Sequence, residues 1–329
     1  MKGSKIMINK LNVGKRIIAL RKEHGYSQSD FADKLNITPQ AVSKWETGLA
    51  LPDIEILLTI SMLFKITINE ILEGKNILYK IANRPFEMSD IAYFVPEEER
   101  DYNIEWTQEF VKNGNVKSCW EYRKNNNHEN HKMLAQKIVN HGGIMLELGV
   151  GPGGGLMPSI LLEKHDANLI ISDLSPTVLR EWKKVFDSEF NPPNVCYAAL
   201  DSCDLPFEDN TLDVISIGGF GNTEGDKVQA IKEFYRVLKP GGLFIATDGF
   251  VKKDILKSFS EDIQKIMLDK IAFIFEDYYE TTVAAGFKKI DNTVLGEWSV
   301  KGDDSTIAEV ADECGVDLIV TWYARYCIK

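Results

Sequence analysis

Leu146-Glu147-Leu148-Gly149-Val150-Gly151-Pro152-Gly153-Gly154-Gly155 is the stretch on which the fold turns. Ile144–Leu148 is an apolar run of strand length. The glycines after it let the backbone turn sharply and come close to a ligand. A strand that ends in such a turn and then enters a helix predicts a nucleotide-binding edge. The turn alone satisfies Gly-x-Gly-x-x-Gly through Gly149, Gly151 and Gly154, which leaves a dinucleotide dehydrogenase open. Asp173, at the end of the next expected strand, suits two ribose hydroxyls in either case.

Outward from this turn, residues 129–329 alternate helix and strand. A helix precedes Gly142–Gly143, and strands are expected at Ile144–Leu148, Leu169–Asp173, Val195–Leu200, Leu212–Ile217 and Leu243–Thr247. That order is the signature of a doubly wound parallel sheet. After a long helical stretch, Lys288–Val300 and Val316–Ile328 are expected to finish the sheet as an antiparallel pair. Further motifs follow in order. Asp201 ends the third strand, Leu205–Pro206–Phe207 with Asp213 leads into the fourth, and Glu233 with Leu238–Lys239–Pro240–Gly241–Gly242 closes a helix and opens the fifth. Ala285–Gly286–Phe287 marks the turn before the sixth.

This ordered set resembles the class I S-adenosylmethionine-dependent methyltransferases, especially the branch that acts on small molecules. The resemblance covers about residues 130–329, and its downstream motifs argue against the dehydrogenase. It implies S-adenosylmethionine as cofactor, with Gly149, Gly151 and Gly153 around the methionine end and Glu147 orienting the amino group directly or through water. By the same resemblance Asp173 takes the ribose hydroxyls, Asp201 and Ser202 meet the adenine edge, and Leu174 and Gly218 complete the cofactor-binding set.

Upstream, residues 13–74 read as five short helices. Ser27 with Asp30 pairs as a cap for the second, Asn36 suits a left-handed turn, Thr38 caps the third with Pro39 at its first position, Asp53 opens the fourth, and Thr67 with Glu70 forms a capping box for the fifth. Arg21, Gly25–Tyr26–Ser27–Gln28, Ala32, Leu35, Val42–Ser43–Lys44–Trp45–Glu46, Gly48 and Pro52 together closely resemble the Xre/Cro repressor family of helix-turn-helix domains. The resemblance covers roughly residues 12–74 and departs at Asn36, where glycine is common. In such a motif the second helix enters the major groove. That places Thr38, Gln40, Ser43 and Lys44 on the DNA-facing side, with Gln28 donating to a phosphate or bracing a base contact. The resemblance implies a homodimer on a palindromic, double-stranded operator.

Residues 75–128 are rich in aromatic side chains, too rich for a flexible linker, and read as a linker and helical cap. The expected fold class is therefore α + α/β, a five-helix helix-turn-helix domain (12–74) followed by a Rossmann-like doubly wound sheet (129–329) with an aromatic-rich helical cap. Trp106, Trp120, Tyr122, Phe220 and Asn222 are candidate substrate-contacting residues, and Tyr278 and Trp322 candidates for the mouth. His131, on the helix before the first strand, is a candidate general base. His128 and His131 are spaced i, i+3, but no third ligand accompanies them, so no metal site is expected.

The chain carries a net charge of -11, which disfavours a general nucleic-acid coat. Residues 1–50 hold nine basic and four acidic side chains, so the remainder carries -16. A basic head on an acidic body suits a local DNA contact. No apolar run reaches membrane-spanning length and the start lacks a signal-peptide pattern, so a cytoplasmic protein without membrane contact is expected. The five cysteines are scattered and form no disulfide framework. Asn191–Pro192–Pro193–Asn194 mimics the motif that holds a flipped base in DNA methyltransferases, yet it precedes the third strand instead of following the fourth. The leading reading is a small-molecule methyltransferase fused to a DNA-binding transcriptional regulator. Two others stand beside it: a non-catalytic transcription factor that senses S-adenosylmethionine or a ligand, and a nucleic-acid or protein methyltransferase.

Overall fold

Capping chemistry sets the helices of the first part of the chain. The computed structural model describes residues 10–72, 77–88, 90–96, 112–220, 226–275, 278–303 and 305–329. Contacts divide the chain into two units, one through Lys80 and one from Ile81. The first holds α1 (Lys10–Glu23), α2 (Gln28–Leu35), α3 (Pro39–Glu46), α4 (Ile54–Phe64) and α5 (Ile68–Leu72). Ser27 and Asp30 satisfy each other's backbone N–H at 3.1 and 3.0 Å, and Thr67 and Glu70 do the same at 2.7 and 3.1 Å. Asn36 takes the left-handed conformation at φ 54° that ends α2. Val13, Ile17, Phe31, Val42, Trp45 and Ile60 form the core of this unit. Gly14 allows α1 to lie directly on α3, because a Cβ there would sit 2.2 Å from the Trp45 carbonyl oxygen.

A single turn, α6 (Leu78–Ile81), follows, and then two short strands, β1 (Glu87–Met88) and β2 (Ala92–Tyr93). Within the stretch read as a linker and helical cap (75–128), the sequence pattern does not mark these two strands. β2 lies parallel to the edge of the main sheet, with Ala92 opposite Ala198 and Tyr93 opposite Ala199, and the Phe94 N–H donates to the Ala199 carbonyl at 2.9 Å. The physical reason is an exposed strand edge, whose unpaired backbone groups are satisfied by an added strand. Within the same stretch α7 (Asn115–Asn125) is helical and packs in the main core through Val116 and Trp120.

The rest of the second unit comprises α8 (Glu129–His141), β3 (Ile144–Leu148), α9 (Met157–Glu163), β4 (Asn168–Asp173), α10 (Pro176–Glu189), β5 (Val195–Ala199), β6 (Leu212–Gly218), α11 (Lys227–Val237) and β7 (Leu238–Phe250). It continues with α12 (Lys253–Lys257), α13 (Glu261–Ile271), α14 (Tyr279–Ala285), β8 (Lys288–Ser299), α15 (Thr306–Glu313) and β9 (Ile319–Ile328). The sheet order is β1-β2-β5-β4-β3-β6-β7-β9-β8. Strands β3 to β7 pair in parallel, and β9 runs antiparallel to both β7 and β8, the expected closing pair. Strands β3 and β4 are buried almost throughout, as parallel strands covered by helices on both faces must be.

Two motif segments serve the fold. Asp213 accepts from the Ile144 N–H at 2.8 Å and pairs with Lys239 at 2.8 Å, and its carboxylate fills the space a side chain at Gly143 would need. Arg236 donates to the carbonyls of Leu205 and Phe207 and to Asp209, while Glu233 accepts from the Leu205 N–H at 2.9 Å. The Leu205–Asp209 turn is thereby clamped onto α11. Among the described residues no helix is long and apolar enough to cross a membrane.

Candidate functional site

Helix α3 presents Thr38, Gln40 and Lys44 to solvent, with Ser43 half-buried, and turns Val42 and Trp45 inward. Thr38 also caps α3, its hydroxyl accepting from the Ala41 N–H at 3.3 Å. Gln28, expected to donate to a phosphate or brace a base contact, is tied to Glu46. Its amide nitrogen donates to Glu46 Oε2 at 2.6 Å. Glu46 is buried and also receives Arg21 through Nε at 2.6 Å and Nη2 at 3.1 Å. A bidentate, charge-assisted pair therefore ties α1 to the end of α3 and holds Gln28 beside it. Arg21 and Glu46 are 25 residues apart, and no spacing or periodicity in the sequence links them.

In the second unit, the strand order reverses between β3 and β6, where open sheets place a ligand crevice beyond the carboxyl ends of the strands. Gly149, Gly151 and Gly153 face open space there, since a Cβ built on any of them meets no atom within 4 Å. Gly154 and Gly155 face the other way. Their added Cβ atoms would lie 2.6 Å from Trp182 and 2.3 Å from Glu147 Oε1. The turn is packed from beneath and bare on top, a cradle that fits a ligand lying against backbone. Trp182 Nε1 holds the Gly151 carbonyl at 2.8 Å, and Asp173 accepts from the Gly151 and Ser175 N–H groups at 2.8 and 2.9 Å. A carboxylate has further lone pairs for ribose hydroxyls. Asp201 and Ser202 follow β5 at the same edge, Asp201 exposed and Ser202 half-buried. Leu174 is half-buried after β4, and Gly218 ends β6.

Glu147 occupies a different place from the surface groups. It is fully buried beneath the turn, accepting from the Leu156 N–H at 2.7 Å and from the Ser216 hydroxyl. Burial pushes its carboxyl up to about 7 against those hydrogen bonds. It braces the turn and the start of α9 from below.

The substrate-side expectations divide. Trp120 is completely buried, edge-on to Phe186 and Phe190 at 5.0 Å each, and Phe220 is buried among Phe234, Phe244 and Tyr278. Both are core rather than walls, because large rings on an inward helix face and at a strand end are drawn under the surface by the apolar area they carry. Tyr122 is exposed, with its hydroxyl 2.8 Å from His128 Nε2. Trp106 and Asn222 lie outside the described residues. Tyr278 is buried and donates to Asp248 at 2.6 Å, so it does not line a mouth. His131 sits half-buried 5.4 Å from Trp322, ring to ring. Its Nδ1 has no hydrogen-bond partner among the described residues. Burial, with Arg123 and His128 nearby, depresses it to about 4, so at neutral pH the imidazole is uncharged and its surroundings oppose protonation. Beside the glycine turn, a cavity of about 500 Å³ opens between α7 and Pro152–Gly153. Arg123 lines it and belongs to no sequence motif. Asn191–Asn194 precedes β5, at the opposite sheet edge from the crevice.

A family model described as helix-turn-helix matches residues 17–71, and one described as methyltransferase domain matches residues 148–246. A ubiquinone/menaquinone biosynthesis C-methyltransferase of Citrobacter koseri is 29% identical over 123 residues, 37% of this chain and 48% of that protein. A demethylmenaquinone methyltransferase of Chlorobaculum tepidum is 32% identical over 157 residues, 44% of this chain and 62% of that protein. The chain thus spans about half the length of the first of these relatives and somewhat more of the second. Among solved structures, Haemonchus contortus phosphoethanolamine N-methyltransferase 2 in complex with S-adenosyl-L-methionine is similar at 19% identity and a TM-score of 0.45, over 64% of this chain and 56% of that one. The chain carries a helix-turn-helix segment followed by a methyltransferase-domain segment.

Proposed function

We propose that the second unit is an S-adenosylmethionine-dependent methyltransferase acting on a small molecule, and that the first is a sequence-specific DNA-binding regulator fused to it. One observation carries the first half: an open glycine face with Asp173 and Asp201 at successive strand ends, inside the segment that matches the methyltransferase-domain model. When bound, S-adenosylmethionine supplies a methyl group already activated on a sulfonium. The protein's share is then alignment and exclusion of water. Gly149, Gly151 and Gly153 admit the cofactor against backbone, Asp173 takes ribose hydroxyls, and Asp201 with Ser202 meets the adenine. Leu174 and Gly218 complete the wall. His131 is the candidate base where the acceptor must lose a proton, a weak one because burial and the nearby Arg123 and His128 disfavour its protonated form. The relatives named for quinone biosynthesis make an aromatic ring acceptor the first class to assay.

The full chain incubated with methyl-labelled cofactor and cell extract, then size-fractionated, tests this. Label in small metabolites is expected. Label only in macromolecules supports the nucleic-acid or protein methyltransferase, and no label despite cofactor binding supports the sensor. The burial of Trp120 and Phe220, which removes two proposed acceptor walls, is the observation that keeps the sensor in view.

For the first unit, Thr38, Gln40, Ser43 and Lys44 on α3 are the proposed base- and phosphate-contacting groups, with Gln28 held beside them by Glu46. The full chain is expected to enrich a palindromic site from random DNA as a homodimer. Lys44→Ala should weaken every sequence alike and Gln40→Ala should change the preferred bases. Failure to enrich any sequence sinks the regulatory half.

A further inference from the structure

Helix α7 ends one turn beyond Trp120, which is sunk between Phe186 and Phe190. On the surface side, Lys117 and Lys124 both pair with Glu189 of α10, at 3.2 and 3.3 Å. The helix is therefore fixed from two sides, and so is Arg123, three residues after the buried ring. Arg123 lines the cavity of about 500 Å³ that Pro152–Gly153 of the glycine turn also lines. The other described lining on α7 is neutral, with Ser118 and Cys119 among it. Burial raises the Cys119 thiol, which keeps it uncharged.

Within this cavity Arg123 is unfinished. Its Nη1 is buried and, among the described residues, has no hydrogen-bond partner. A guanidinium left so is costly unless an anion completes it. The buried carboxyl that feels it, Glu147, has both oxygens engaged by Leu156 and Ser216 beneath the turn, so it does not serve as that anion.

We infer that Arg123 binds the α-carboxylate of the cofactor's methionine end in the cavity between α7 and Pro152–Gly153. This rests on the cofactor reading above and adds to it the group that recognises the amino-acid end. The ligand class is a nucleoside thioether or sulfonium bearing a free amino-acid carboxylate, which a planar guanidinium matches through two parallel hydrogen bonds. An anionic acceptor in the same cavity is the competing occupant. The wall formed by the glycine turn favours the cofactor, because that turn is the surface the cofactor itself lies on.

Calorimetric titration of the full chain with S-adenosylmethionine and with its decarboxylated form tests the assignment. The wild type should prefer the carboxylate-bearing form by about tenfold to a hundredfold, the range of a charge-assisted hydrogen-bond pair. Arg123→Gln should abolish that preference while leaving affinity for the decarboxylated form unchanged, and Arg123→Lys should keep part of it. An undiminished preference in Arg123→Gln overturns the inference, as does a wild type that binds both forms equally. Should the Gln variant bind neither form, the Lys variant decides: a retained preference supports the pairing, and its loss together with equal weakening of both forms overturns it. A wild type that binds neither form refutes the cofactor reading itself, a separate outcome.

Discussion

At Glu147, burial and hydrogen bonding pull the carboxyl in opposite directions, and burial prevails, lifting it from 4.5 to about 7. A carboxyl whose pKa rises on folding holds its proton in the folded state while the unfolded chain releases it. Stability of the second unit therefore declines as pH climbs from about 4.5 to about 7, by about 3 kcal/mol from this group. His131 acts in the opposite sense. Depressed from 6.5 to about 4, it stays neutral in the fold while the unfolded imidazole takes up a proton, so its contribution is full above 6.5 and is lost as pH falls toward 4. The two windows overlap and offset each other. Glu147→Gln is expected to leave stability that rises with pH across the acid range, and His131→Asn stability that falls, both read by urea denaturation between pH 4.5 and 7. Parallel profiles in the two variants contradict this account. The glycines divide in the same way. Gly153→Ala, into open space, should preserve the melting temperature and weaken cofactor binding, whereas Gly154→Ala, at φ 78° and against Trp182, should lower the melting temperature itself.

Between elements, a few side chains decide where a helix can sit. Arg21 and Glu46 are both buried and paired, joining α1 to α3. Arg21→Met strands the carboxylate and is expected to destabilise the first unit by about 3 kcal/mol, measured by denaturation, with loss of DNA binding at temperatures where that unit has melted. A stability change near zero contradicts the argument. Trp120→Ala opens a large void under α7 and should cost the second unit about 3–5 kcal/mol. Such local anchors were legible only in part. Ser27, Asn36, Asp53 and Thr67 announced their caps because a cap is a contact between residues three or four apart. Trp120 and Phe220 read as substrate walls in the sequence because an aromatic residue looks alike on either side of a helix until its packing partners are known. Arg123 and the Arg21–Glu46 pair left no periodic or spaced signal at all.

Over the whole molecule, the basic excess of residues 1–50 stands against -16 on the remainder, and contacts separate a unit through Lys80 from one beginning at Ile81. Calorimetry is expected to show two transitions, with S-adenosylhomocysteine raising only the one that belongs to the second unit, by about 3 kcal/mol of stability at a hundredfold excess over Kd. Movement of both transitions together would mean that the units are thermodynamically coupled. On the proposed DNA contact, affinity should fall steeply with salt, since the basic excess lies in residues 1–50. The sequence by itself determined the order of helices and strands, the helix-turn-helix and glycine-turn motifs, and the antiparallel ending, because each is written in capping residues, in periodicity or in a turn that only glycine tolerates. Tertiary structure alone decided that Glu87–Met88 and Ala92–Tyr93 extend the sheet, that Glu147 supports the glycine turn from beneath, and that Arg123 and Gly153 line one cavity. Those outcomes depend on which distant surfaces meet and on how much water they exclude, and neither is encoded in the spacing of neighbouring residues.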